Sequence, residues 1–180
     1  EDRNFRPTDL EFAPDGSLYV IDWHNALIGH MQHNARDPNR DHVHGRIFRV
    51  TYPSRPLGYP PVIDGAPIAD LLENLTLPES RARYRTRREL REHDGATVAS
   101  AAVEWAAKQD DERLKLEALW VTWGADQVDE ELLGELLGSD DHRIRSAAVR
   151  VARFNEHQVG NLPEILRTAA EDDHGRVRLE

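Results

Sequence analysis

The chain has 180 residues, of which 39% are hydrophobic and 31% are charged, so one large domain or two small ones can be built around a real core. No window approaches the roughly 18 uninterrupted apolar residues of a membrane span. The net charge of -10 argues against a nucleic-acid partner, because binding to the phosphate backbone is dominated by positive charge. The absence of cysteine excludes disulfides and thiolate metal sites and leaves the compartment undecided.

Three segments within the first 52 residues have the composition of β-strands. Leu10 and Phe12 alternate with polar neighbours, and the sequence PDG at 14–16 supplies a tight turn. The apolar run at 18–21 and the segment at 46–52 have strong β preference. Short antiparallel strands around such a turn predict a β-meander, which is either one blade of a β-propeller or a free-standing sheet.

A polar insertion of about twenty residues separates the second and third strands, and loops of that length are usually functional. It holds five of the nine histidines, and these are candidates for a substrate or cofactor site: His24, His30, His33, His42 and His44.

The same insertion contains an alternation of oxygen-bearing side chains. Asp37, Asn39 and Asp41 are spaced as in calcium loops, and His42 and His44 are potential ligands for a transition metal. The segment lacks the sixth-position glycine and the twelfth-position acidic residue of an EF-hand loop. A metal site at these residues is therefore one hypothesis among several.

A second interpretation of the insertion is a hydrogen-bond network without ligand. It pairs Asp41 with Arg46, Asp37 with Arg36 or Arg40, and the histidines with backbone carbonyls. A third interpretation is a binding site at the mouth of a propeller, where loops converge.

Residues 53–79 are predicted to form a linker that contains one short helix. Six prolines between residues 53 and 78 make long regular structure unfavourable. Pro67 suits a first helical turn, and an apolar series at i, i+3, i+4 and i+7 follows it: Ile68, Leu71, Leu72 and Leu75. We expect a domain boundary in this segment.

Basic-apolar-basic triplets recur after residue 80 at intervals of 30, 30 and 33 residues: Arg83-Tyr84-Arg85, Arg113-Leu114-Lys115, Arg143-Ile144-Arg145 and Arg176-Val177-Arg178. Between them lie apolar stripes in a common register: Ala102, Val103, Ala106 and Ala107; Leu132, Leu133, Leu136 and Leu137; Ile165, Leu166, Ala169 and Ala170. Helix pairs that repeat at fixed spacing predict an α-solenoid over residues 80–180.

Acidic pairs precede three of these triplets at 110–111, 140–141 and 172–173, where an aspartate can cap the next helix. The units resemble short HEAT repeats. Because Glu180 comes two residues after a triplet that should open a helix, we expect the C-terminus to be a truncation of a longer protein.

The arginine-rich segment 81–91 is either a nucleic-acid patch or a salt-bridged first helix, and its interleaved glutamates favour the helix. Trp105, Trp120 and Trp123 are expected to pack between helices. Trp23 precedes the histidine-rich insertion and is expected either to wall a pocket or to lie in a propeller core.

The stretch FRPTDLEFAPDGSLYVIDW and above all IGHMQHNARDPNRDHVHGRI resemble the end of the propeller in bacterial membrane-bound dehydrogenase domain proteins. That propeller is similar to the glucose/sorbosone dehydrogenase type. The resemblance implies an α+β chain with three parts. These are the antiparallel strands of a terminal β-propeller blade at 1–52, the linker at 53–79 and a HEAT-like α-solenoid at 80–180.

The resemblance also implies a quinone-linked dehydrogenase acting on sugars or alcohols, with pyrroloquinoline quinone and calcium in the full-length protein and a periplasmic or cell-envelope location. Arg36, Arg40 and Arg46 would then steer the anionic cofactor. The catalytic base of such enzymes lies on earlier blades, so the catalytic residues of this chain stay unknown. A cytochrome c module is an expected partner, but with no cysteine this segment holds no covalent haem.

Two alternatives remain open. One is a non-catalytic module that binds a carbohydrate or a protein partner, since solenoids present extended surfaces. The other is a metal-dependent hydrolase that uses the histidine cluster. Whatever its function, a single blade has two exposed sheet edges. We therefore expect it to pack on the helices or to pair with strands of another chain.

Overall fold

The computed structural model of the protein describes residues 2–25, 36–38 and 40–180. The chain divides into two compact units, Glu1–Pro61 and Val62–Glu180, and this division falls inside the proline-rich segment. The described part of the first unit is a three-stranded antiparallel sheet, and that of the second contains eight helices. The chain is therefore of mixed α and β type, as predicted.

The sheet consists of β1 (Pro7–Phe12), β2 (Leu18–Asp22) and β3 (Arg46–Val50), in that spatial order and antiparallel throughout. The predicted turn joins β1 to β2, and its Gly16 adopts a φ of +82° that a side chain would disfavour. Asp15 closes the turn by accepting hydrogen bonds from the backbone N–H (2.9 Å) and the hydroxyl (2.6 Å) of Ser17. The three predicted strands are thus confirmed.

One face of the sheet is apolar on all three strands. The register aligns six side chains on it: Leu10, Phe12, Leu18, Val20, Phe48 and Val50. Val20, at the centre, is 8% exposed, whereas Phe12 at the edge is 62% exposed. Burial of apolar surface stabilises by about 25 cal/mol per Å². A partner surface that covered the exposed side chains of this face would therefore add to the stability of the sheet.

The helices of the second unit are α1 (Ile68–Asn74), α2 (Ser80–Leu90), α3 (Gly95–Ala106), α4 (Glu112–Gly124), α5 (Glu130–Leu137), α6 (His142–Phe154), α7 (Leu162–Ala170) and α8 (Gly175–Leu179). The predicted linker helix is α1, and its Leu71, Leu72 and Leu75 are buried. No helix in the described ranges is both long and apolar enough to cross a membrane.

Most of these helices have an acidic residue at the N-cap position. Asp94, Asp111, Asp129 and Asp141 each accept a hydrogen bond from a backbone N–H in the first turn, which satisfies a donor that has no partner within the helix. The caps at Asp111 and Asp141 were predicted. Before α8 the arrangement differs, because the capping side chain belongs to His174.

The predicted apolar stripes form the core of this unit. Ala102, Leu133 and Leu136 are at most 1% exposed, and Ile165 is partly buried against the same cluster. Trp105 is also buried and donates its indole N–H to Glu73 at 2.8 Å. Two of the stripes are shorter than predicted, since their last residues, Ala107 and Ala170, are exposed.

The first predicted triplet is displaced by two residues. Its central Tyr84 is 55% exposed, whereas Ala82 is 3% exposed and occupies the position that Leu114 and Ile144 hold in later helices. The equivalent triplet is therefore Arg81-Ala82-Arg83, at intervals of 32, 30 and 33 residues. Both triplets have the basic-apolar-basic pattern, and the even spacing of 30 residues favoured the one centred on Tyr84. Only the burial of Ala82 identifies the correct triplet.

The last arginine of three triplets makes the same contact. Arg83 donates Nη1–H to the carbonyls of Leu77 (2.7 Å) and Pro78 (2.9 Å), which lie just before its own helix. Arg145 and Arg178 repeat this with the residues five and six positions earlier, at 2.7–3.1 Å. In α4 the position is Lys115, which pairs with Glu135 instead.

Candidate functional site

The two ends of the histidine-rich insertion are tied together by one ion pair. Asp22 ends β2, Arg46 begins β3, and the two face each other in the register. The Asp22 side chain is buried and accepts Nε–H of Arg46 at 2.7 Å. It also accepts the backbone N–H groups of Arg6 (2.6 Å) and His24 (2.9 Å). The insertion therefore starts and finishes at a fixed point of the sheet.

The charge states at this point follow from its contacts. Burial raises the pKa of Asp22, but the N–H groups of Arg6 and His24 and the guanidinium of Arg46 outweigh burial, so the pKa is lowered overall. Burial lowers the pKa of Arg46, and the carboxylates of Asp2 and Asp22 raise it above its usual value. Both groups are charged at neutral pH, and Arg46 is engaged on two sides.

The first residues of the insertion form an aromatic and cationic surface. Trp23 is 52% exposed, and the guanidinium of Arg40 lies 5.0 Å from the centroid of its ring. His24 has a φ of +53°, which is uncommon for a residue with a side chain. Its Nδ1 is buried without a hydrogen-bond partner among the residues described. These contacts bring together positions 17 residues apart in the sequence.

The last residues of the insertion form a turn around Asp41. Its Oδ1 accepts the backbone N–H groups of Val43 (2.9 Å) and His44 (3.1 Å), and its Oδ2 lies 2.9 Å from Nδ1 of His44. Chiefly because of the bond from Val43, followed by those from His44, the pKa of Asp41 falls to about 2. His42 contacts the carbonyl oxygen of Asp37 at 3.2 Å.

The histidine-to-carbonyl contact agrees with the predicted hydrogen-bond network, whereas the predicted pair of Asp41 with Arg46 is not formed. Arg46 pairs with Asp22 and Asp2 instead, because the strand register places Asp22 directly opposite. Arg36 is exposed. Three predicted site residues lie outside the described part of the chain: His30, His33 and Asn39.

The carboxylate of Asp41 already accepts hydrogen bonds that would compete with a calcium ion. Both of its oxygens are engaged by donors from residues 43 and 44. Over residues 2–25, 36–38 and 40–180, no three histidine or acidic side chains are grouped to hold a metal ion. The described residues therefore do not fit a calcium or zinc site by themselves.

Sequence reasoning missed the role of Asp22 and Asp2. The available signal was an acidic residue at the end of one strand and a basic residue at the start of the next, on either side of a long insertion. Such a pair can be inferred once the two strands are assumed to be adjacent.

One family matches part of the chain: residues 1–54 match the model of a domain of unknown function (DUF7133). This segment covers the whole sheet and the histidine-rich insertion. No curated protein and no solved structure gives a significant match.

Proposed function

We propose that this chain contributes to a quinone-linked dehydrogenase that oxidises sugars or alcohols, as the sequence resemblance implies. In this proposal the histidine-rich insertion lines the entrance to the active site. The observation that carries it is the ion pair of the buried Asp22 with the partly buried Arg46, which holds both ends of a long polar insertion at one end of the sheet. A loop anchored in this way can present side chains to a ligand with little loss of entropy.

We further propose that residues 1–52 form the closing blade of a β-propeller and residues 80–180 a HEAT-like α-solenoid. The blade is supported by strand order β1-β2-β3 and by the exposed apolar face, which a neighbouring blade would cover. The solenoid is supported by contacts of α2 with α4, α4 with α6 and α6 with α8, in addition to contacts between consecutive helices.

Pyrroloquinoline quinone is planar and anionic, and it would accept the two electrons removed from the substrate. Within the described part of the insertion, Trp23 offers an exposed ring, and Arg36 and Arg40 offer cations. Arg46 is less suited to this role because it already pairs with two carboxylates. Calcium would need ligands beyond those described.

The proposal is tested in the longer protein that the resemblance implies. With pyrroloquinoline quinone and calcium added, dye reduction is measured over a panel of sugars and alcohols, and quinone binding is followed separately by fluorescence. We expect the double variant Arg36→Ala/Arg40→Ala to weaken quinone binding about tenfold or more. The exposed Arg3 provides a matched control, Arg3→Ala. No turnover and no quinone binding in the unmodified protein would refute the proposal.

The exposed apolar face of the sheet favours a second candidate, a non-catalytic module that binds a carbohydrate or a protein. Substitution of His42 and His44 by alanine separates the two. Loss of turnover with intact folding supports the enzyme, while unchanged turnover with loss of partner binding supports the module. A cytochrome c module as electron acceptor and a periplasmic location belong to the enzyme proposal only.

A further inference from the structure

A groove on the helical unit combines aromatic rings with arginines, and it is separate from the histidine-rich insertion. Helices α2 and α4 form it, and it encloses about 530 Å³. We call it the arginine–tryptophan groove. Its lining residues are Tyr84, Arg87, Arg91, Trp120, Trp123 and Gly124. The volume is within the usual range of ligand-binding clefts.

The aromatic rings continue from the groove onto α6. The ring centroids of Trp120 and Trp123 lie 5.6 Å apart. The ring of Trp123 is stacked on that of Phe154, with 6.1 Å between the centroids and an interplanar angle of 15°. Both tryptophans are partly buried and pack against the core. Tyr84 and Phe154 are 55% and 59% exposed. Core packing therefore explains the two tryptophans but not the exposed rings of Tyr84 and Phe154.

The arginines of the groove differ in their contacts. Arg87 pairs with the buried Glu117, so part of its charge is compensated. The guanidinium of Arg91 makes no hydrogen bond or ion pair with the described residues, and its Nε would lie 2.9 Å from a Cβ added at position 124. Gly124 thus leaves space for the Arg91 side chain to lie across the end of α4. The N–H donors of the Arg91 guanidinium stay available for a ligand.

The pattern repeats along three helices in the frame set by Arg83, Lys115 and Arg145. In that frame Arg91, Trp123 and Arg153 hold one helical position, since they are 32 and 30 residues apart. The guanidinium of Arg153 lies 4.8 Å from the centroid of the Phe154 ring, and it also pairs with the carboxylate of Glu180. Arginine and tryptophan therefore alternate across neighbouring helices, which extends the groove into a strip.

The lining of the groove contains no aspartate, glutamate or lysine, although the chain has 33 acidic residues. Tryptophan, tyrosine and arginine are the residues that contribute most binding energy at protein interfaces, whereas lysine and acidic residues are depleted there. The charges of Arg87 and Arg153 are compensated in part by Glu117 and Glu180, so the uncompensated positive charge is that of Arg91, and it favours an acidic partner.

We propose that the arginine–tryptophan groove binds an acidic peptide segment of a partner protein. Carboxylates of the peptide pair with Arg91 and Arg87, and an aromatic side chain between them lies against Tyr84 and Trp120. This proposal is independent of the dehydrogenase chemistry, because the groove lies wholly within residues 84–124.

The test uses the 180-residue chain and a fluorescein-labelled peptide with the sequence DEFEDF between glycines. Its binding is measured by fluorescence anisotropy at low salt. We expect saturable binding with a Kd below about 1 mM, and binding at least about tenfold weaker for the neutral peptide NQFQNF. Binding should also weaken as salt is added, because the pairs are exposed to solvent.

Three variants locate the site. Arg91→Ala and Tyr84→Ala are each expected to weaken binding about fivefold or more. Neither is expected to unfold the chain, since both side chains are exposed. Arg85→Ala is the matched control, because Arg85 belongs to the same helix, is exposed and lines a different groove with Ile63 and Asp64. The control should change the Kd less than about twofold.

Gly124→Ala tests the geometry without a change of charge. The added Cβ would displace the Arg91 side chain, so binding of DEFEDF should weaken while thermal stability is retained. The proposal is overturned if no peptide binds at about 1 mM, if DEFEDF and NQFQNF bind equally, or if Arg91→Ala and Arg85→Ala have the same effect. Tighter binding of trigalacturonate than of DEFEDF would also overturn it, in favour of an acidic sugar.

Discussion

Glu117 is the residue on α4 whose removal should most clearly weaken the contact between α2 and α4. Its side chain is 10% exposed and accepts Nε–H of Arg83 at 2.9 Å, while the guanidinium of Arg87 pairs with its second oxygen. In Glu117→Ala both arginines lose their shared carboxylate. Arg83 keeps the carbonyls of Leu77 and Pro78 and so stays in place as an uncompensated charge.

The cost lies between that of a buried and that of a surface ion pair. Removing one partner of a buried pair costs about 3–5 kcal/mol, and losing a surface pair costs about 0–1 kcal/mol. Because Arg83 and Arg87 are 19% and 26% exposed, water compensates part of the loss. We therefore expect Glu117→Ala to lower the free energy of unfolding by about 2–3 kcal/mol, which for a unit of this size lowers Tm by about 8–12 °C.

Far-ultraviolet circular dichroism is the suitable assay, because helices α1 to α8 all belong to the unit Val62–Glu180. Glu104→Ala is the matched control, since Glu104 is exposed on α3 and should change stability by less than about 0.5 kcal/mol. A double-mutant cycle with Arg83→Ala measures the pairwise energy. If Glu117→Ala and Glu104→Ala unfold at the same temperature, the stabilising role of the ion pair is wrong.

The remaining predictions concern two glycines and one carboxylate. Gly95→Ala should destabilise the helical unit, because the new Cβ would lie 2.9 Å from the carbonyl oxygen of Ala125; Gly134→Ala, with open space around it, should raise stability by about 0.5–1 kcal/mol through helix propensity. Denaturant midpoints compare the two, and equal shifts would contradict this explanation. The pKa of Asp41 is lowered to about 2. The stabilisation from its ionisation is therefore fully present above the unfolded-state pKa of about 3.9 and is lost as the pH falls towards 2. A carboxyl titration by NMR checks this, and a midpoint near 4 would show that the hydrogen bonds from residues 43 and 44 do not form.

The sequence predicted the helical unit better than the histidine-rich insertion. Leu71, Leu133 and Leu136 follow a helical period, and Asp111 and Asp141 stand at helix starts, so local pattern and final structure agree. These features depend on neighbours a few residues away, and a single sequence records such neighbours directly.

The insertion is harder to predict because its contacts are set by strand register. Arg46 has several acidic residues nearby in the sequence, and only the pairing of β2 with β3 selects Asp22. The same limit explains the misplaced first triplet, since Ala82 and Tyr84 are both flanked by arginines and differ only in what covers them. For Arg46 the deciding contact spans 24 residues of the chain, and for Ala82 the deciding property is its burial, which spacing in the sequence does not record.

The back-reaching arginines have a consequence for how the helical unit can change in length. Arg83 and Arg145 seal the bend ahead of their own helices through carbonyls five and six residues away, and Arg145 also reaches Asp172 in the following pair. The segments around Arg83 and Arg145 thus each carry the closure of their own bend, whereas the segment of Lys115 does not. In the proposed solenoid, duplication of a helix pair that begins with such an arginine would leave the new bend closed. Evolution could therefore lengthen the unit by copying these pairs without new contacts at the bend.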